Sequence, residues 1–283
     1  MYSPTYNEGF TNHLPMVITS MERLGFTRER MNEVIEIYST RLEQAEATEY
    51  GRRYIELREK MSNVDVKEYL SDKLSTIPSA LFHHFIRLYF SIGDKELEKS
   101  ALAYFELAKH DFKVEFDETS NITEHIEKLI KRRIVSPVNF LSGSSMDKYR
   151  AIRNSSLKEY LKVPNYVDIK EMTNLFLDMF SRTKDFYILH VITGFQAILG
   201  LKDYLDVNEA VKEYYKHAQI FIILGDTFGP RLPNAKHELE YYIKKAPSLE
   251  DAHDIKLLYS LTELKKVTDS PLIEDIAEYI IKG

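Results

Sequence analysis

From residue 12 to residue 281, apolar side chains recur every third or fourth position, and runs that alternate with period two are rare. Such a chain buries one stripe per segment as α-helices and has little from which to build a sheet. The clearest case is Phe186 to Leu201, interrupted only by His190, Thr193, Gly194, Gln196 and Gly200. A stretch apolar on nearly every side, yet too short to cross a bilayer, belongs in the middle of a core. The expected fold is all-α: one multi-helix bundle over residues 1–283, with a buried central site.

Local signals divide this pattern into segments. Asn12 and Pro15 open a first helix, and Gly25 stops it. Thr27 starts a second, to about Gln44. Residues 45–75 are charged and weakly periodic, and are expected to cover a surface. Pro78 introduces a helix from Ser79 to Ile92, and Asp94 caps another to about His110. Asn121 with Glu124 resembles a capping box for a helix to about Ile134. Residues 136–166, with Pro137, the Ser142–Ser145 run and Pro164, read as a long connection or lid. Asp168 with Glu171 and Asp206 with Glu209 open further helices. The chain breaks at 225–230, and a short helix is expected over 236–245. Ser248 with Asp251 is read as the box for the helix carrying His253, and Pro271 starts the last helix.

Composition removes several function classes. The formal charge of −6 provides no basic face for nucleic acid or an anionic membrane. Cysteine is absent, which removes disulfides, thiolate metal sites and thiol catalysis and fits a reducing compartment. With no visible signal peptide and no apolar run of membrane-spanning length, the expected location is the cytoplasm. No G-x-G-x-x-G accompanies a βαβ pattern, so no bound flavin is expected. There is no G-x-S-x-G nucleophile motif.

The nine histidines carry the functional signal. His110, His125 and His237 lie among charged residues and read as solvated, while His217 is open between core and pocket edge. His13, His83, His84, His190 and His253 sit in apolar surroundings, where an imidazole needs a partner. His253 and Lys256 share one helix face. A common metal would explain inward histidines on separate helices, because helix bundles build such sites from facing side chains. The spacing is non-local and supplies no motif of the H-E-x-x-H kind.

Four segments together resemble the questin oxidase-like family. They are Asn12-His13-Leu14-Pro15-Met16, Phe82-His83-His84-Phe85-Ile86-Arg87-Leu88, Leu189-His190-Val191-Ile192-Thr193-Gly194 and Asp251-Ala252-His253-Asp254-Ile255-Lys256-Leu257. Their order spans most of the chain, though the detailed matches cover about thirty residues. The resemblance implies an all-α oxygenase with non-haem Fe(II), which oxidises an aromatic polyketide-like molecule by oxygen insertion or C–C cleavage. Carried over residue by residue, the implied ligands are His13, His83, His190 and His253, with Lys256 matching the family lysine. A carbamate on Lys256 would add an anionic oxygen ligand. Dioxygen would be the co-substrate and NADPH an external reductant.

The chain departs from the pattern in being shorter through its middle and in carrying His84 where the family commonly has a small residue. Expected pocket walls are Phe82, His84, Phe85, Tyr187, Thr193 and Phe195. Two alternatives stay open: a non-catalytic helical protein binding a lipid or aromatic molecule in the same cavity, and a zinc-containing helical protein.

Overall fold

The computed structural model describes residues 1–7, 9–133, 143–225 and 228–283. Among them the chain is all-α, with fourteen α-helices and two minor two-stranded pairings. Helix α10 (Phe186–Gly200) forms the axis, and every residue from Ile188 to Ile198 is buried. Around it pack α5 (His83–Ser91), α9 (Ile169–Thr183), α11 (Val207–Leu224) and α13 (Ala252–Leu264). Helix α1 (Leu14–Arg23) lies against both α5 and α13. Each large aliphatic side chain buried along α10, such as Ile188 or Ile192, contributes roughly 1.5–3 kcal/mol over leaving it in water. No helix among the described residues is long and apolar enough to cross a membrane.

Most helix starts follow their local signals. Thr27, Asp94, Asp168, Asp206 and Asp251 each accept a hydrogen bond from a backbone N–H in the first turn of the helix they cap. The cap of α13 is thus Asp251 alone, and Ser248 closes a 3-10 turn before it. The second helix ends at Ser39, short of Gln44. The 45–75 segment is more ordered than its weak periodicity implies, forming helices over Glu49–Lys60 and Val66–Leu70. It holds Tyr54 buried against Tyr104. Within the loop-rich stretch a helix over Ser145–Arg153 forms behind a full capping box of Ser144 and Asp147. Ile134, Pro137 and Ser142, and Asp226 and Thr227 of the later break, lie outside the described residues.

The largest departure precedes α5. Instead of one helix from Ser79, the chain makes a left-handed turn: Ala80 has φ 48°, Leu81 55° and Phe82 66°. Each such conformation costs an L-residue about 1–2 kcal/mol. Packing sustains it, because Phe82 is seated on Tyr214 and Phe221, with ring centroids at 4.7 and 5.0 Å. Gly194 leaves this seat free: a Cβ there would lie 2.9 Å from Phe82 Cβ and 2.8 Å from Tyr214 Oη. Glycine at 194 thus makes room for Phe82 and Tyr214. Replacing Ala80 with glycine removes the Cβ penalty at this turn. The Ala80→Gly variant is expected to be more stable by about 1 kcal/mol, read as a higher urea midpoint at unchanged slope. A lower midpoint would contradict a left-handed residue 80.

Candidate metal centre

Four helix beginnings converge at one place. His13 immediately precedes α1, His83 is the first residue of α5, His190 lies one turn into α10, and His253 is the second residue of α13. Asn12 fixes the first of these, its Oδ1 accepting from Leu14 N–H and its amide donating to Ser3 O. The backbone N–H of His13 donates to Tyr38 Oη at 3.1 Å. The left-handed turn fixes the second.

His13, His83 and His190 form a buried group that could hold a metal ion. The Nε2 atoms of His13 and His83 lie 2.8 Å apart, and those of His83 and His190 3.3 Å apart. Nitrogens about 2.1 Å from a shared ion stand roughly 3.0–3.4 Å from one another for cis or tetrahedral ligands. The observed spacing is close to that.

Tautomer chemistry sharpens the point. His83 Nδ1 lies 2.6 Å from Ala80 O, and His190 Nδ1 2.7 Å from Phe186 O. A carbonyl can only accept, so both rings carry their proton on Nδ1 and leave a bare lone pair on Nε2. Those two lone pairs face each other across 3.3 Å, on rings that are both buried. Two acceptors aimed at one point repel unless a cation lies between them. The carbonyls also orient the rings, as partners of metal-bound histidines do.

His253 stands edge-on to His13 and His190, with ring centroids at 4.6 and 5.3 Å, and its Nε2 has no hydrogen-bond partner among the described residues. Lys256 is wholly buried, and its Nζ likewise has none, so the amine is not paired with Asp251 or Glu250. Burial pushes the Lys256 amine down to about 7. Burial first, and then neighbouring Lys256 and histidine charges, hold His13 and His83 well below the ordinary imidazole value. For His190 the neighbouring histidines follow burial. Burial also lowers His253, with Asp251 acting in the opposite sense. The helix starts aim partial positive charge at the same point, which favours neutral rings and an anionic partner.

These shifts set an acid limit for the metal-free protein. An unfolded imidazole titrates near 6.5, and each of the four folded ones titrates lower. Below about pH 6.5 the unfolded chain therefore binds more protons at these rings, so their contribution to stability is fully present above that pH and falls as the pH drops. Each ring that is neutral in the fold contributes up to about 1.4 kcal/mol per pH unit to that fall, and His84, His125 and His217, also held low by burial, add to it. Denaturant unfolding followed by circular dichroism from pH 7.5 to 5 measures it, and a flat profile would contradict four buried neutral rings.

The other sequence-stated residues lie elsewhere. His84 is buried against Phe85 and Phe105 and lies 3.4 Å from Thr76 Oγ1. Phe82 sits on Tyr214 and Phe221, Phe195 on Phe176 and Tyr214, and Tyr187 stacks along Phe221. Thr193 Oγ1 turns back to His190 O. The cleft that reaches the centre, about 300 Å³, is lined instead by Tyr6, Tyr38, Ile37 and Arg41 beside His13 and His253. None of the six expected pocket residues lines it. Phe186, half exposed, covers His190 and His253 at 4.3 and 5.5 Å between centroids. Its place four residues before His190 is the signal that could have identified it.

His125 is a correction. It is buried, not solvated, with Nδ1 2.7 Å from Tyr215 Oη and Nε2 2.7 Å from Tyr160 O. It falls on the Ile122, Ile126 and Leu129 stripe, and two satisfied nitrogens make its burial tolerable. His217 is core, held between Tyr149 Oη and Glu213. His110 and His237 are exposed. Neither protein-family models nor curated proteins match this chain.

Proposed function

We propose that the protein is a mononuclear iron-dependent oxygenase of the questin oxidase-like type, acting on an aromatic, polyketide-like small molecule. The observation that carries the metal is the facing pair of Nε2 lone pairs on His83 and His190. In this reading His13, His83, His190 and His253 are the ligands. Buried neutral imidazoles suit iron among the first-row metals, and a redox function selects it over zinc. Bound iron would supply the redox chemistry with dioxygen that oxygen insertion or C–C cleavage requires.

The chain's own part is positioning and exclusion of water. The Ala80 and Phe186 carbonyls hold two rings in their tautomers. Phe186 shields the centre on one side, and Tyr38 tethers His13. The cleft beside Tyr6, Tyr38 and Arg41 gives an aromatic substrate its approach. Lys256, buried and unpaired, is suited to add carbon dioxide: its amine and carbon dioxide give a carbamate and a released proton. That anionic oxygen would balance the neutral histidines.

The test is metal analysis and electronic spectroscopy of anaerobically purified protein, then dioxygen uptake with a hydroxyanthraquinone and NADPH. The expected result is about one iron per chain and substrate-dependent uptake that chelation abolishes. Zinc in place of iron would overturn the oxygenase reading while keeping the centre. Absence of any stoichiometric transition metal would overturn both.

A further inference from the structure

We propose that the cavity beside Arg87 is a binding site for a small monocarboxylate with an apolar body, separate from the histidine centre. Arg87 lies on α5, one turn beyond His83, and is 95% buried by its relative exposure of 5%. No ion pair among the described residues includes it, and its Nη1 has no hydrogen-bond partner there. Its other terminal nitrogen makes one long bond, 3.4 Å to Tyr54 Oη. The guanidinium otherwise rests on the rings of Tyr54 and Tyr104, 5.9 and 5.1 Å from their centroids.

A buried guanidinium is always charged, and ring faces satisfy none of its donors. Leaving it without an anion is costly, and buried charges in proteins are ordinarily paired. Here the group lines a cavity of about 370 Å³. That is the size of a small-ligand pocket, where apolar walls carry a few convergent polar groups. Leu14, Phe90 and Leu97 are among the walls, and Arg58 and Ser100 add polar groups. Arg58 is already engaged by Ser100 and by Glu96. Arg87 is therefore the cation that lacks a partner, and a planar carboxylate matches its fork. The walls call for an apolar body behind that carboxylate, which inorganic phosphate lacks.

Octanoate is the probe, with octanamide as its neutral counterpart and inorganic phosphate as the bare anion, measured by titration calorimetry on the full chain as purified. The expected result is one octanoate per chain, with octanamide and phosphate each bound about 10- to 100-fold more weakly. Arg87→Met should weaken octanoate by a similar factor while its unfolding midpoint stays level or rises, because an unpaired buried charge has been removed. Should that variant fail to fold, Leu97→Trp fills the cavity without touching Arg87 and should abolish octanoate binding. His83→Ala should leave octanoate affinity unchanged, and a loss there would place the ligand on the histidine centre and overturn the proposal. Equal affinity for octanoate and octanamide, phosphate binding without octanoate, or no octanoate binding by folded wild type would also overturn it.

Discussion

His83→Ala is expected to yield a folded protein without stoichiometric metal, while His84→Ala is expected to keep it. The two rings are neighbours in sequence and equally enclosed, so the pair separates position from burial. His83 presents Nε2 to both His13 and His190, at 2.8 and 3.3 Å. Removing it takes away the central member of the three-histidine group, and the remaining nitrogens cannot make the same set of contacts. Metal content after dialysis is expected to fall from about one equivalent per chain to less than about a tenth. His84 packs on Phe85 and Phe105, so its loss opens a cavity and costs about 2 kcal/mol of stability with metal retained. Equal metal in both variants would remove His83 from the centre.

Lys256→Met separates stability from metal holding. The amine is buried without a partner, and burial brings it down to about 7 from an unfolded value of 10.5. Between those values the unfolded chain carries a proton that the folded chain does not. The metal-free protein is therefore penalised at and below neutral pH and gains stability as the pH rises from 7 to 10.5. Methionine removes the penalty at similar volume. The expected result is a metal-free protein more stable by about 1–4 kcal/mol at pH 7, with no rise between pH 7 and 9.5. Denaturant unfolding at those two pH values measures both effects. If the lysine serves the centre as a carbamate, the same variant loses metal, together with the carbamate carbon signal seen by NMR after ¹³C-bicarbonate labelling of wild type. A variant less stable than wild type would show that the amine has a partner in the fold.

The helices were legible wherever the signal is local. An aspartate at 94, 168, 206 or 251 reaches a backbone N–H two or three residues on, so the cap is written beside the helix it starts. The apolar run in α10 could only be central, because no face of it suits water. The turn at Ala80, Leu81 and Phe82 had no such mark, since none of its residues favours positive φ. It exists because Phe82 is seated against Tyr214, Phe221 and Gly194, all more than a hundred positions away. His125 was misread for a related reason: its charged neighbours lie on the other face of its helix, and its partners come from distant segments.

By itself the sequence determined the all-α class, the central helix and the apolar sequence neighbourhoods of His13, His83, His190 and His253, because periodicity and capping act over a few residues. Tertiary structure alone decided that the Nε2 atoms of His13, His83 and His190 meet, across separations of 70 and 107 residues from His83. It also decided that His84 does not line the cleft and that the cleft opens beside Tyr6, Tyr38 and Arg41. Both the tautomers and the facing lone pairs depend on where α1, α5 and α10 begin in space, which no local spacing encodes.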